Sequence, residues 1–197
     1  MVFLMRRLEQ DSKQRKLYEE YAYILDIYPS DAYRGTPPVA KNEEVLQLIG
    51  EDFFTLLEAA AWKGKFSTGM RVYVGRNISK QVLRILRRIS YNELTLNAKS
   101  ELEQTIQKIV ISKENKFVEF FNKANPLTPR LHSLELLPTI GKKSLRKILD
   151  EREKEEFKSF EDIKKRADIS DPIKLITKRI IEELSNPTEK YRIFLIS

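Results

Sequence analysis

The chain contains no cysteine, one histidine (His132), one tryptophan (Trp62) and only six glycines in 197 residues. Without cysteine there is no disulfide framework, no thiolate catalysis and no cysteine-ligated zinc, and a reducing, cytoplasmic compartment is expected. Metal-supported hydrolysis needs clustered His, Asp and Glu ligands, and with His132 as the only histidine a zinc hydrolase is not expected. A Ser-His-Asp triad would have to recruit His132, and no nucleophile-elbow sequence stands beside it. No apolar run reaches the roughly 18–20 residues that span a bilayer. Met1–Met5 is apolar, but the charged stretch Arg6–Lys16 interrupts it before a signal-peptide core could form, so residues 1–16 read as an N-terminal extension. Together these absences predict no cofactor, no metal and no membrane partner.

Acidic residues are missing from one long stretch. Between Ala59 and Asn92 there is none, while Lys63, Lys65, Arg71, Arg76, Lys80, Arg84, Arg87 and Arg88 supply eight positive charges, more than the formal +7 of the whole chain. Charge concentrated this way reads as an electrostatic footprint for a polyanion, and phosphate contacts supply most non-specific affinity for nucleic acid. The candidate contacts are Arg71, Arg76, Lys80, Arg84, Arg87 and Arg88. Tyr73 joins them as a base-stacking residue, because alternation sets it on the face of Arg71.

Residues 17–94 read as short strands. Tyr21, Tyr23, Leu25 and Ile27 alternate before Pro29, Ser30–Pro38 is a loop, and Val45–Ile49 and Phe53–Ala59 flank a turn at Gly50-Glu51-Asp52. Arg71–Gly75 alternates again, and Val82–Ile89 has an ambiguous period, with strand favoured over helix by its neighbours. Five short strands with basic and aromatic outer residues resemble a small closed barrel of the oligonucleotide-binding (OB) type. The chain then changes class. Ser90 and Glu93 have capping-box spacing, and residues 95–125 form a helical connector, one long helix or two, with Leu102, Ile106, Ile109, Val110, Phe117, Phe120 and Phe121 on its apolar face. Asn125-Pro126 marks the next boundary, and residues 187–197 form an apolar tail, Tyr191–Ile196 suiting a returning strand or an associating edge.

The stretch Leu134-Glu135-Leu136-Leu137-Pro138-Thr139-Ile140-Gly141-Lys142-Lys143-Ser144-Leu145-Arg146 resembles the helix-hairpin-helix motif. Leu134 and Leu137 would pack a short first helix, Pro138 would end it, and Ile140 would plug the core. Gly141 would open the second helix, where free N–H groups and the macrodipole attract phosphate. Thr139 stands where the family has its first glycine, and Leu145 where it favours alanine. The resemblance implies backbone binding through Thr139, Gly141, Lys142, Lys143 and Arg146. Residues 126–186 would form a tandem domain, whose second copy replaces the glycine hairpin by Ala167-Asp168-Ile169-Ser170-Asp171-Pro172. Asp171 is expected as N-cap and Pro172 at the first helical position. Aspartate there would repel phosphate, so the second copy is degenerate.

The order of these parts, with Arg130–Pro138 among them, is similar to an uncharacterised archaeal family in which an OB-like domain precedes tandem helix-hairpin-helix motifs and RNA binding is expected. The fold class expected is therefore α+β, a small OB-like barrel followed by a helical domain. The expected function is non-catalytic nucleic-acid binding, RNA favoured over DNA. Two other readings stand beside it: an interaction module that contacts a protein of a nucleic-acid-processing complex, and a DNA glycosylase or lyase using Asp162, Asp168 or Asp171.

Overall fold

The computed structural model describes residues 18–75 and 82–195; the expected N-terminal extension, Arg76 and Lys80 lie outside them. The first half is a five-stranded antiparallel sheet of β1 (Tyr21–Pro29), β2 (Glu43–Gly50), β3 (Leu56–Trp62), β4 (Arg71–Tyr73) and β5 (Arg84–Arg88), in the order β4-β1-β2-β3-β5. Five helices follow: α1 (Leu96–Ser112), α2 (Glu114–Lys123), α3 (Lys142–Lys154), α4 (Phe160–Ala167) and α5 (Pro172–Ser185), with a small hairpin of β6 (Pro126–Thr128) and β7 (Leu131–His132) between α2 and α3. α1 lies on β1 and is backed by α5.

The expected barrel is corrected to an open sheet. Among the described residues β4 and β5 are its two edges and do not pair.

Both faces of the sheet are buried, which explains why strict alternation misleads. A bulge between Ile24 and Asp26 shifts the register of β1. Tyr23 and Leu25 therefore join the core shared with the helices, whereas Ala22, Ile24 and, past the bulge, Ile27 join a smaller cluster on the far face with Leu46, Leu48, Ala59 and Val72. A bulge flips the parity of every residue beyond it. The larger core is continuous from Tyr23 and Ile49 in the sheet through Ile106, Phe117 and Ile148 to Phe194.

Local signals account for the helices. Thr95 caps α1 by accepting from Ala98 N–H, Ser159 caps α4, and Asp171 caps α5 ahead of Pro172, as expected. The Ser90–Glu93 capping box forms, on a 3-10 turn that precedes α1. The connector is two helices rather than one, broken at Lys113, whose ammonium reaches Glu51 and Asp52 in the β2–β3 turn.

Carboxylates fasten the loops and edges. Glu19 accepts N–H bonds from Asp52, Phe53 and Thr55, closing the β2–β3 turn. Glu183, 1% exposed, accepts from Ile193, Phe194 and Leu195 and pairs with Arg179 at 2.8 Å. The C-terminal tail is thereby held against α5, with Phe194 edge-on to Phe117 and Phe120. It is not the returning strand expected from its apolar sequence: its amides are spent on a side chain. Along the sheet, Arg71 grips Glu51 through two bonds of 2.7 and 2.8 Å, and Arg84 grips Glu43 through two of 2.9 and 3.0 Å. Arg87 donates to Glu58 at 2.9 Å and also to Glu93.

Replacing Glu183 by alanine orphans three amides and takes from the buried Arg179 guanidinium its nearest carboxylate, leaving it the Tyr191 carbonyl and the more distant Glu182 and Glu189. Urea unfolding followed by circular dichroism is expected to show a loss of about 3–5 kcal/mol; an unchanged midpoint would mean that the tail is held by its apolar contacts alone. A second expectation concerns acid. Bonds from Arg84 hold Glu43, and bonds from Arg71 hold Glu51, below the ordinary carboxyl value of 4.5. The Ser90 N–H first, and then Arg87, hold Glu93 down to about 2. The folded protein thus binds fewer protons than the unfolded chain in this range, so the stability these groups supply is complete above pH 4.5 and falls as the pH drops toward 2. Melting temperature against pH measures this, and a profile flat down to pH 2 would contradict it.

Candidate nucleic-acid interface

The stretch from Leu134 to Leu149 folds as a tight turn leading into α3. The expected short first helix is a four-residue 3-10 turn, Ser133–Leu136. Pro138 leaves no room for a longer one. His132 and Glu135 start it with a reciprocal cap: Nδ1 of His132 accepts from Leu134 N–H at 3.1 Å, and Glu135 accepts from His132 N–H at 2.9 Å. Burial holds His132 below its ordinary pKa, which keeps the ring neutral for this role.

Thr139 has φ +68°, the left-handed conformation that glycine adopts most readily. Thr139 thus holds a conformation that ordinarily calls for glycine. Ile140 is buried behind it, together with Leu134, Leu137, Leu145 and Ile148. Gly141 is the N-cap of α3, with φ −94°, and no side chain caps the helix. A methyl group on Gly141 would meet nothing within 4 Å. Glycine here serves neither conformation nor packing; what it provides is open space in front of the N–H groups of the first turn. Lys142 turns back to Glu135 at 2.8 Å and to the Arg130 carbonyl at 3.0 Å. Lys143 and Arg146 are exposed, and with Lys142, Leu145, Leu149 and the acidic Asp150 and Glu153 they line a groove of about 630 Å³ along α3.

The second turn repeats part of this plan. Asp168 is left-handed at φ +57° and Ile169 is buried, as Thr139 and Ile140 are, but Asp171 fills the cap of α5 with its own carboxylate. Lys147 on α3 reaches Asp168 at 3.6 Å. Asp162 is likewise committed, accepting from Lys158 N–H and pairing with Arg166 at 3.0 Å. All three candidate glycosylase aspartates therefore sit at helix starts or in ion pairs. Among the described residues no group of three or more His, Asp or Glu could hold a metal ion, and no helix is long and apolar enough to cross a membrane.

The structure places the residues of the acid-free stretch differently from a free basic face. Arg71, Arg84 and Arg87 meet Glu51, Glu43, Glu58 and Glu93, carboxylates supplied by the β2–β3 turn, β2, β3 and the 3-10 turn before α1. Tyr73 does share a face with Arg71, as alternation implies, but it packs edge-on against Tyr21 at 5.3 Å, and Arg71 covers that same Tyr21 ring. Arg88 is exposed on β5, opposite Leu57. Residues 18–94 carry ten Lys or Arg and ten Asp or Glu, net zero, whereas residues 95–197 carry 21 and 17, net +4. The stretch looks like a footprint in sequence because its counter-charges lie elsewhere in the chain. Sequence reasoning missed these glutamates, and no local signal marks them. It did mark the Ser30–Pro38 loop, without finding that Tyr33 and Arg34 line a recess with Arg87.

Comparison with known proteins bears on identity. A family model described as "Protein of unknown function (DUF655)" matches residues 18–196. The chain is 39% identical to the uncharacterized protein MJ0038 of Methanocaldococcus jannaschii over 191 residues, 96% of this chain and 85% of that protein. Its fold is similar to the crystal structure of Af1531 from Archaeoglobus fulgidus, a DUF655 protein, with a TM-score of 0.81 and 44% identity over 90% of this chain and 100% of the other. An α+β chain with an open five-stranded sheet and a helical second half, matched over nearly its whole length, thus belongs to the DUF655 family, whose relatives here are archaeal.

Proposed function

We propose that this protein binds nucleic acid without catalysis, gripping one phosphate backbone at the Thr139–Lys143 turn, which acts as a helix-hairpin-helix. The observation that carries the reading is the uncapped start of α3 behind Gly141: a helix N-terminus with open space before it, beside exposed Lys143 and Arg146. Main-chain N–H groups, the helix dipole and mobile cations all favour an anion at that point. Asp150 and Glu153 close the far end of the groove with negative charge, which confines the contact to the first turn of α3.

The second turn supports a single backbone rather than two. Asp171 occupies the position that phosphate would need, and Asp168 adds a further negative charge beside it. A reader of one strand suits single-stranded RNA or a looped RNA better than a duplex gripped on both sides. The sheet's part in this reading is reduced from a charged platform to a support.

A second reading has its own observation. β5 is an unpaired edge among the described residues, and Leu83, Ile85 and Trp62 beside it are each 37–40% exposed. A partner protein could add a strand there.

Two experiments bear on the hairpin. Gly141→Ala fits the backbone and meets no atom, so its melting temperature should match wild type, while its Cβ obstructs phosphate. RNA affinity is expected to fall about tenfold, and wild-type affinity would remove the hairpin from the interface. In the second, Lys143→Gln and Arg146→Gln should each lower affinity for all sequences and flatten the log–log salt dependence by about one unit. Salt-insensitive binding, or binding that survives both changes, would favour the β5 edge and a protein partner.

A further inference from the structure

Away from the hairpin, the Ser30–Pro38 loop encloses a second recess where it crosses the sheet. Its volume is about 500 Å³, and Tyr28, Tyr33, Arg34, Gly35, Glu58 and Arg87 contribute to its walls. That size falls within the range of small-molecule sites.

The recess is preformed. At one end of the loop, Tyr33 N–H returns to the Ser30 carbonyl at 3.2 Å, and Arg34 Nη1 donates to the carbonyls of Asp31 and Tyr33. At the other end, Arg84 Nη2 donates to the Pro38 carbonyl at 3.1 Å and Ala40 N–H to Glu43 at 3.0 Å. Gly35 lies under the Tyr33 ring, and a methyl group there would displace that ring. Glu58, 2% exposed, accepts from Tyr28 Oη at 2.8 Å and Gln47 Nε2 at 3.1 Å through one oxygen, and from Arg87 Nε at 2.9 Å through the other.

These bonds leave specific groups over. Arg87 spends Nε on Glu58 and Nη1 on Glu93, and its Nη2 enters neither pair. Arg34 spends only Nη1 on the loop. The Tyr33 hydroxyl is buried and has no hydrogen-bond partner among the described residues, while Tyr33 itself forms part of the recess wall. Two carboxylates on Arg87 reduce the local charge but fix its guanidinium in place, so little side-chain entropy is lost when it binds. Phenol rings beside oriented guanidinium edges complement an aromatic base joined to a phosphate.

We propose that this recess binds a nucleoside monophosphate group, either as a free mononucleotide or as the phosphorylated end of a strand. The phosphate meets Arg34 and Arg87, and the base rests against the tyrosine pair. Arg87 also secures β5, so Arg34, exposed and bonded only to its own loop, is the residue to change.

The full-length protein titrated with AMP, adenosine and inorganic phosphate, followed by amide NMR shifts, tests the site. AMP should saturate with shifts centred on Tyr28–Thr36, Glu58 and Arg87, while adenosine and phosphate bind at least about tenfold more weakly. Arg34→Ala should lose about tenfold in AMP affinity with its melting temperature unchanged. Oligonucleotides with and without a terminal phosphate then separate the sources. Preference for the phosphorylated end assigns a strand terminus to the recess, and no preference, with AMP still bound, assigns a free mononucleotide. The proposal is overturned if AMP produces no saturable shift at roughly millimolar concentration, if Arg34→Ala binds as wild type does, or if the shifts fall at Thr139–Arg146 instead.

Discussion

Buried carboxylates hold this fold where apolar packing alone cannot. Irregular backbone must satisfy its N–H groups, and a loop or tail that crosses a protein interior has no ladder to join. Glu19 and Glu183 solve the same problem at opposite ends of the chain, each accepting three consecutive or near-consecutive amides. Glu43, Glu51 and Glu58 solve a related one at the sheet edges, where each takes an arginine from β4 or β5. A buried charge is tolerable only when paired and hydrogen-bonded, so each of these contacts also dictates where its partners lie.

That dependence explains the division of labour between the halves. Residues 18–94 carry no net charge and commit Arg71, Arg84 and Arg87 to carboxylates of the same half, while the helical half keeps the surplus. The first turn of α3 has no acid in it and no capping side chain, whereas the corresponding turn of α5 supplies its own aspartate. Two turns with the same left-handed residue and the same buried isoleucine therefore differ in what they offer an anion.

Helices and their caps were legible in the chain because their signals are local. Ser90 with Glu93, Asp171 with Pro172, and Pro138 before Gly141 each act within one turn of backbone. The strands were legible in place but not in facing, since the bulge after Ile24 reverses the parity on which alternation relies. Closure of the barrel was not legible. It depends on which strands meet at the two edges, and a pattern of five short strands does not contain that. The arginine partners were illegible for the same reason: Glu43 lies 41 residues from Arg84, and Glu58 lies 29 from Arg87. Of the candidate site, Gly141, Lys143 and Arg146 stand open to solvent as motif spacing implied, while Arg71, Arg84 and Arg87 are committed to the sheet.

The apolar core that runs unbroken from Tyr23 in the first strand to Phe194 near the end of the chain has a wider meaning. A boundary drawn at the change from strands to helices divides the sequence but not the interior, because α1 is at once the lid of the sheet and the floor of the helical half. Neither half can be cut away without exposing the other's inner surface. Heat or denaturant should take the molecule apart as one cooperative unit, and any ligand that bound only the folded α3 turn would, through that shared interior, disfavour the opening of strands it never touches.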